Sequence, residues 1–206
     1  MKKGVFITFE GIEGVGKTTQ IKRLQSALKE LSIDCIGTRE PGGTATAEII
    51  RNIILKEDMT ELTELLMYSA SRAEHVTSLV KPNLEAGRHV LCDRFTDATI
   101  AYQGYGRGVD IKLIDTLNNI ATAGIRPDIT IIIDLPVEIA FQRLAKRGSE
   151  PDRFEKLNHD FYAKVREGYL SIWKNNPDRV ALVDGNRDED SIYNDIANIL
   201  LPKVKQ

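Results

Sequence analysis

Gly11-Ile12-Glu13-Gly14-Val15-Gly16-Lys17-Thr18 sets two glycines around four residues and then closes on Gly-Lys-Thr. That spacing makes a loop whose backbone amides can converge on phosphate oxygens, with a lysine to reach the β- and γ-phosphates and a hydroxyl to ligate Mg²⁺. Lys17 and Thr18 take those two parts, and Thr19 follows them into the next element. A second chemical group lies in Val90-Leu91-Cys92-Asp93-Arg94, where an acid and an arginine close an apolar run. Asp93 there suits Mg²⁺ or its waters and Arg94 suits a phosphate fork, although a strand-end ion pair would read the same way. Thr38-Arg39-Glu40-Pro41-Gly42-Gly43-Thr44 follows another apolar run and brings Arg39 to the same edge, with Pro41-Gly42-Gly43 as a tight turn. Tyr68 and Arg72 stand four apart, so one helical face could offer a ring and a donor fork to a planar base. A core aromatic beside a solvated arginine has the same spacing.

These groups need a scaffold that gathers them at one edge. Apolar, β-rich runs occur at residues 5–9, 35–38, 90–92, 129–133 and 180–183. Helical periodicity occupies 18–31, 47–55, 62–85, 111–123, 137–147, 161–173 and 191–201. Such alternation predicts an α/β fold, a three-layer α/β/α sandwich on a five-stranded parallel sheet. In such sheets ligands bind beyond the carboxyl ends of the strands, where Asp93 and Arg94 fall. The phosphate loop has the same placement, between the run at 5–9 and the helix at 18–31. Two stretches break the rhythm and are expected to be functional: a glycine-rich loop at 102–108 and a polar, proline-punctuated segment at about 146–156. The second, with Arg147 and Arg153 around Gly148 and Pro151, is expected to close as a lid.

Composition limits the alternatives. At 206 residues and 42% hydrophobic, one domain spanning 1–206 is expected, with no linker or repeat. Lys and Arg total 28 against 30 for Asp and Glu, which disfavours a globally basic nucleic-acid binder. Cys35 and Cys92 both lie in apolar runs, as expected of buried thiols in a reduced, cytoplasmic enzyme. The first apolar run ends after five residues at Glu10, too short for a signal peptide or a membrane span. His75, His89 and His159 have no metal-ligand spacing.

In order and spacing, FEGIEGVGKTTQ, TREPGGT, LLMYSASRAEH, DRFTDATIAYQGYGRG and RLAKRGSEPDRFE resemble the thymidylate kinases. These are P-loop nucleoside monophosphate kinases, and the likeness covers nearly the whole chain. The resemblance implies a cytoplasmic homodimer that uses ATP and Mg²⁺ to convert dTMP to dTDP for dTTP synthesis, with no nucleic-acid or membrane partner. It implies that Gly11, Ile12, Glu13, Gly14, Val15, Gly16, Lys17, Thr18 and Thr19 hold ATP, that Arg143 packs on adenine, and that Thr18 and Asp93 serve the metal. Glu13 would address the sugar 3′-hydroxyl, Arg39 and Arg94 would grip the acceptor phosphate, and Tyr68, Arg72, Thr99 and Gln103 would take the base. Tyr102 would lie beneath the sugar and disfavour a 2′-hydroxyl. Because the phosphate loop carries Glu13-Gly14 and no arginine, the family likeness puts the transition-state arginine on the lid, Arg147 or Arg153, beside catalytic Lys17 and Arg94. Two departures stand out: Tyr68 replaces the usual phenylalanine, and the lid spacing is a residue longer. The competing readings are another deoxynucleotide or deoxynucleoside kinase, and a nucleotide-dependent switch with no acceptor.

Overall fold

The computed structural model describes residues 3–147, 153–154 and 157–205. Its first half runs β1 (Phe6–Glu10), α1 (Lys17–Glu30), β2 (Cys35–Arg39), α2 (Ala45–Lys56), α3 (Glu61–His75), α4 (Lys81–Glu85) and β3 (His89–Asp93). Then follow α5 (Thr96–Thr99), α6 (Ile111–Thr122), β4 (Ile129–Asp134), α7 (Val137–Arg147), α8 (His159–Asn175), β5 (Val180–Asp184) and α9 (Glu189–Val204). The five strands are all parallel, in the order β2-β3-β1-β4-β5. β1 is buried at every position and β4 from Ile129 to Ile133, as strands covered on both faces must be. The chain leaves β1 toward β2, but from β2 onward it moves the other way across the sheet. Right-handed crossovers therefore put helices on both faces. α1 packs on β1, β2 and β3 and against α9, while α8 covers β4 and β5. The expected sandwich is the one found.

Three local expectations need correction. The helix expected over 62–85 is broken by a π-helical turn, Val76–Val80, between α3 and α4. Pro82 lies two residues past it and has no N–H to return to the preceding turn. The glycine-rich stretch at 102–108 is mostly helical, not a loop: Ile100–Gly106 is a second π-helical segment continuing α5. Its glycines serve packing, since a Cβ on Gly106 would lie 2.7 Å from the Phe161 ring of α8. Cys35 is only half-buried, because β2 is the sheet edge, whereas Cys92 is buried; both are free thiols. Of the lid expected at about 146–156, Gly148 to Asp152, Glu155, Lys156 and the Arg147 side chain lie outside the described residues.

Candidate active site

β1 and β3 are neighbours, with Phe9 opposite Asp93, and Arg39 at the end of β2 pairs with Asp93 from the other side. Three functional loops therefore leave adjacent strand ends. The phosphate loop is fastened below by Ile12 and Val15, both buried in the core. Its glycines take backbone angles that residues with a Cβ adopt only at a cost, Gly11 at φ 130°, Gly14 at 77° and Gly16 at 94°. Helix α1 starts from Gly16 without a side-chain cap and without an acidic residue in its first turn. By contrast α2, α3, α6, α8 and α9 are capped by Thr44, Thr60, Asp110, Asn158 and Asp188. The uncapped amides of α1 and its dipole are thus kept for an anion.

Lys17 is buried and donates to the carbonyls of Gly11 and Ile12, at 3.0 Å each. Burial, then Arg94, pulls its pKa down to about 8 against the opposing pull of Asp93, Glu13 and Glu10. A triphosphate would supply the missing anionic partner. The Thr18 hydroxyl donates to Asp93 Oδ2 at 2.8 Å. Two hard oxygen ligands so close, beside a phosphate loop, fit Mg²⁺. Thr19 is exposed and, with Arg143, lines the outer flank of the loop. Arg143 donates to the Gly185 carbonyl at 3.0 Å.

Arg94 lies at the centre of the cleft. It donates to Gly11 O at 2.9 Å and Tyr169 Oη at 3.1 Å through Nη1, and to Glu13 Oε1 at 2.8 Å and Tyr102 Oη at 3.1 Å through Nη2. The Tyr102 hydroxyl in turn donates to Glu13 Oε2 at 2.5 Å. Burial would raise the Glu13 pKa, but Arg94, Lys17 and Tyr102 outweigh it and hold the carboxylate below its ordinary value. Glu13 stays charged, facing both halves of the cleft. Arg39 is exposed and bound by both oxygens of Glu48, at 2.8 and 2.9 Å.

A second cavity opens on the other side of Arg94, lined by Tyr68, Arg72, Thr99, Tyr102 and Gln103 together with Phe154. The expected base-reading residues are therefore brought together. Arg72 is 2% exposed and held by Glu40 (2.8 Å), Asn118 (2.6 Å), Phe95 O (3.0 Å) and Thr99 (3.0 Å). Those bonds use four of the five guanidinium N–H groups, and the second hydrogen on Nη1 is left for the cavity. Glu13, Glu40, Arg51 and Arg94 line both this cavity and the phosphate-loop cavity. The two are one cleft.

Arg153 lies at the base end. It donates to Ile54 O at 3.1 Å and Glu64 Oε2 at 2.5 Å, and its guanidinium stands 4.8 Å from the Phe154 ring centre.

Five residues of this site were not expected from sequence. Arg51, which donates to Pro41 O at 2.9 Å, sits in an amphipathic helix and reads as a solvated charge. Phe154 closes the base cavity, 6.4 Å from Tyr68 and 6.2 Å from Tyr102 between ring centres. Glu10 accepts from Phe95 N at 2.7 Å and Tyr169 Oη at 2.9 Å, and so supports Arg94 from below through Tyr169. Glu64 is buried against Gln103 and Arg153. Only for Arg51 did the sequence carry a signal, a lone arginine among isoleucines near Pro41-Gly42-Gly43.

A family profile described as thymidylate kinase matches residues 9–196. The chain belongs to the thymidylate kinase family. It is 50% identical over 192 residues to a thymidylate kinase of Geotalea uraniireducens, covering 89% of this chain and 90% of that one. It is 46% identical to one from Geobacter sulfurreducens, covering 98% of each. A crystal structure of thymidylate kinase from Ehrlichia chaffeensis superposes with a TM-score of 0.80 at 36% identity, covering 96% of this chain and 99% of that one. The matched range spans the residues of all five sequence motifs, and the structural likeness extends to the P-loop kinase fold.

Proposed function

We propose that this enzyme transfers the γ-phosphoryl group of ATP to dTMP, giving ADP and dTDP for dTTP synthesis. What carries the reading is the single cleft, with an uncapped phosphate loop at one end, a buried base cavity at the other and Arg94 between them. Lys17 and the loop amides take the ATP phosphates, with Arg143 beside the adenine. Thr18 and Asp93 would hold Mg²⁺, which when bound neutralises charge on the phosphates. Arg94, with Arg39 and Arg51, takes the acceptor phosphate and aims it in line. The Glu13 carboxylate receives the 3′-hydroxyl of the sugar, and Tyr102 fills the space a 2′-hydroxyl would need. Tyr68, Arg72, Thr99 and Gln103 receive the base. Positioning and charge stabilisation suffice for this chemistry without a covalent intermediate. A lid arginine would match the charge that spreads over the transferring group; Arg153, held by Ile54 O and Glu64, closes the base end, which leaves that part to Arg147.

Acceptor-dependent ADP release tests this. dUMP lacks one methyl group and should be slower by about 10–200-fold. UMP, with a 2′-hydroxyl against Tyr102, should be slower still; UMP used as well as dTMP would remove Tyr102 from its role. The enzyme is further proposed to be a cytoplasmic homodimer. Supporting this are exposed Ile49 and Ile53 on α2 and Leu62 and Leu66 on α3, each pair four residues apart on helices that touch.

A further inference from the structure

Glu64 sits on α3 behind the base cavity, 1% exposed, and its two oxygens have different partners. Oε1 accepts from Gln103 Nε2 at 2.8 Å; Oε2 accepts from Arg153 at 2.5 Å, with Arg107 at 3.5 Å. A carboxylate beside two guanidinium groups can only accept. Gln103 must therefore turn its NH₂ to Glu64, an orientation that follows from satisfying the buried groups, whichever amide end is which in the coordinates. The carbonyl end of the amide remains for the cavity that Gln103 lines. Beside it the cavity offers donors: the unspent Arg72 N–H and the hydroxyl hydrogen of Thr99, whose oxygen already accepts from Arg72.

One acceptor next to donors complements a base that presents a ring N–H flanked by carbonyls. Thymine and uracil present that pattern. Cytosine presents a lone pair at N3 and an amino group at C4, setting acceptor against acceptor and donor against donor. Polar mismatches inside a buried site are costly because neither group can return to water. We propose that Glu64, which never touches the base, is the positioning residue that makes this pocket an imide reader by locking the Gln103 amide. The same carboxylate fastens Arg153, so Arg153 and the neighbouring Phe154 that lines the cavity are tied to the group that sets base choice. This rests on the dTMP kinase reading of the cleft.

The test compares initial rates with dTMP, dCMP and N3-methyl-dTMP in the wild-type enzyme and in the Glu64→Gln and Glu64→Asp variants. Wild-type kcat/KM should be at least about a hundredfold lower for dCMP and for N3-methyl-dTMP than for dTMP. Gln at position 64 can accept or donate, so it frees the Gln103 amide to flip. The dTMP-to-dCMP preference should then fall at least about tenfold. Asp keeps a pure acceptor and should hold the preference within a few-fold of wild type. If Glu64→Gln loses activity on both nucleotides with the preference unchanged, Glu64 is only a structural brace and the proposal is overturned. Should that variant fail to fold, the wild-type comparison decides alone: N3-methyl-dTMP used as well as dTMP would also overturn it. A wild-type enzyme that ignores dTMP altogether would instead remove the functional reading beneath the proposal.

Discussion

Arg94 holds a left-handed backbone conformation, at φ 70°, which costs on the order of 1 kcal/mol for a residue with a Cβ. It persists because Gly11, Glu13, Tyr102 and Tyr169 all fix the guanidinium. Glu10 underlies that arrangement. Burial, then Asp97, raises its pKa to about 8, against Arg94, the Tyr169 hydroxyl and the Phe95 amide. The sign follows: the unfolded chain binds fewer protons at this group between its ordinary value and about 8, so stability falls as pH rises through that window. Thermal melts should show a falling Tm from pH 5 to pH 8, with a shallower fall in Glu10→Gln. An equal slope in both would mean that Glu10 is not protonated in the folded protein. None of this was legible in the sequence, where Glu10 simply ends an apolar run; its partner Tyr169 is 159 residues away. The placement of Lys17 and Thr18 was legible, because a phosphate loop is local and its geometry follows from spacing; that of Asp93, 75 residues from Thr18, followed from its position at a strand end.

At the scale of elements, the strands were readable wherever burial on both faces forces a continuous apolar run, as in Ile129-Thr130-Ile131-Ile132-Ile133. The stretch around Gly104 and Gly106 was not, because a glycine in sequence shows freedom and not what lies opposite. Here the π-helical segment and α8 interlock through small residues on both sides. A Cβ on Gly168 of α8 would lie 2.9 Å from the Tyr105 ring and 3.1 Å from the Ala101 backbone. Gly168→Ala would improve helix propensity by about 1 kcal/mol, while overpacking costs about 1–3 kcal/mol. Packing should prevail by on the order of 1 kcal/mol, lowering Tm by about 2–4 °C. A melt showing Gly168→Ala more stable than wild type would mean the two elements are looser than this packing implies.

For the whole molecule, the exposed apolar rows on α2 and α3 are what the proposed dimer rests on. The sequence suggested an over-apolar helix, but Leu65, Val76 and Val80 are spent on the core and only the row through Leu62 and Leu66 is exposed. Light scattering at micromolar concentration should give a dimer of the 23.1 kDa chain, and Leu66→Glu should shift it to monomer. A wild-type monomer would refute the assembly. No described helix is long and apolar enough to cross a membrane. Two nucleotides bound end to end in one cleft is the central claim, and product analysis after a single incubation with ATP and dTMP tests it most directly. ADP and dTDP should appear in equal amounts, with negligible ADP when dTMP is left out. ADP with inorganic phosphate and no dTDP would show that water, not a second nucleotide, takes the phosphoryl group.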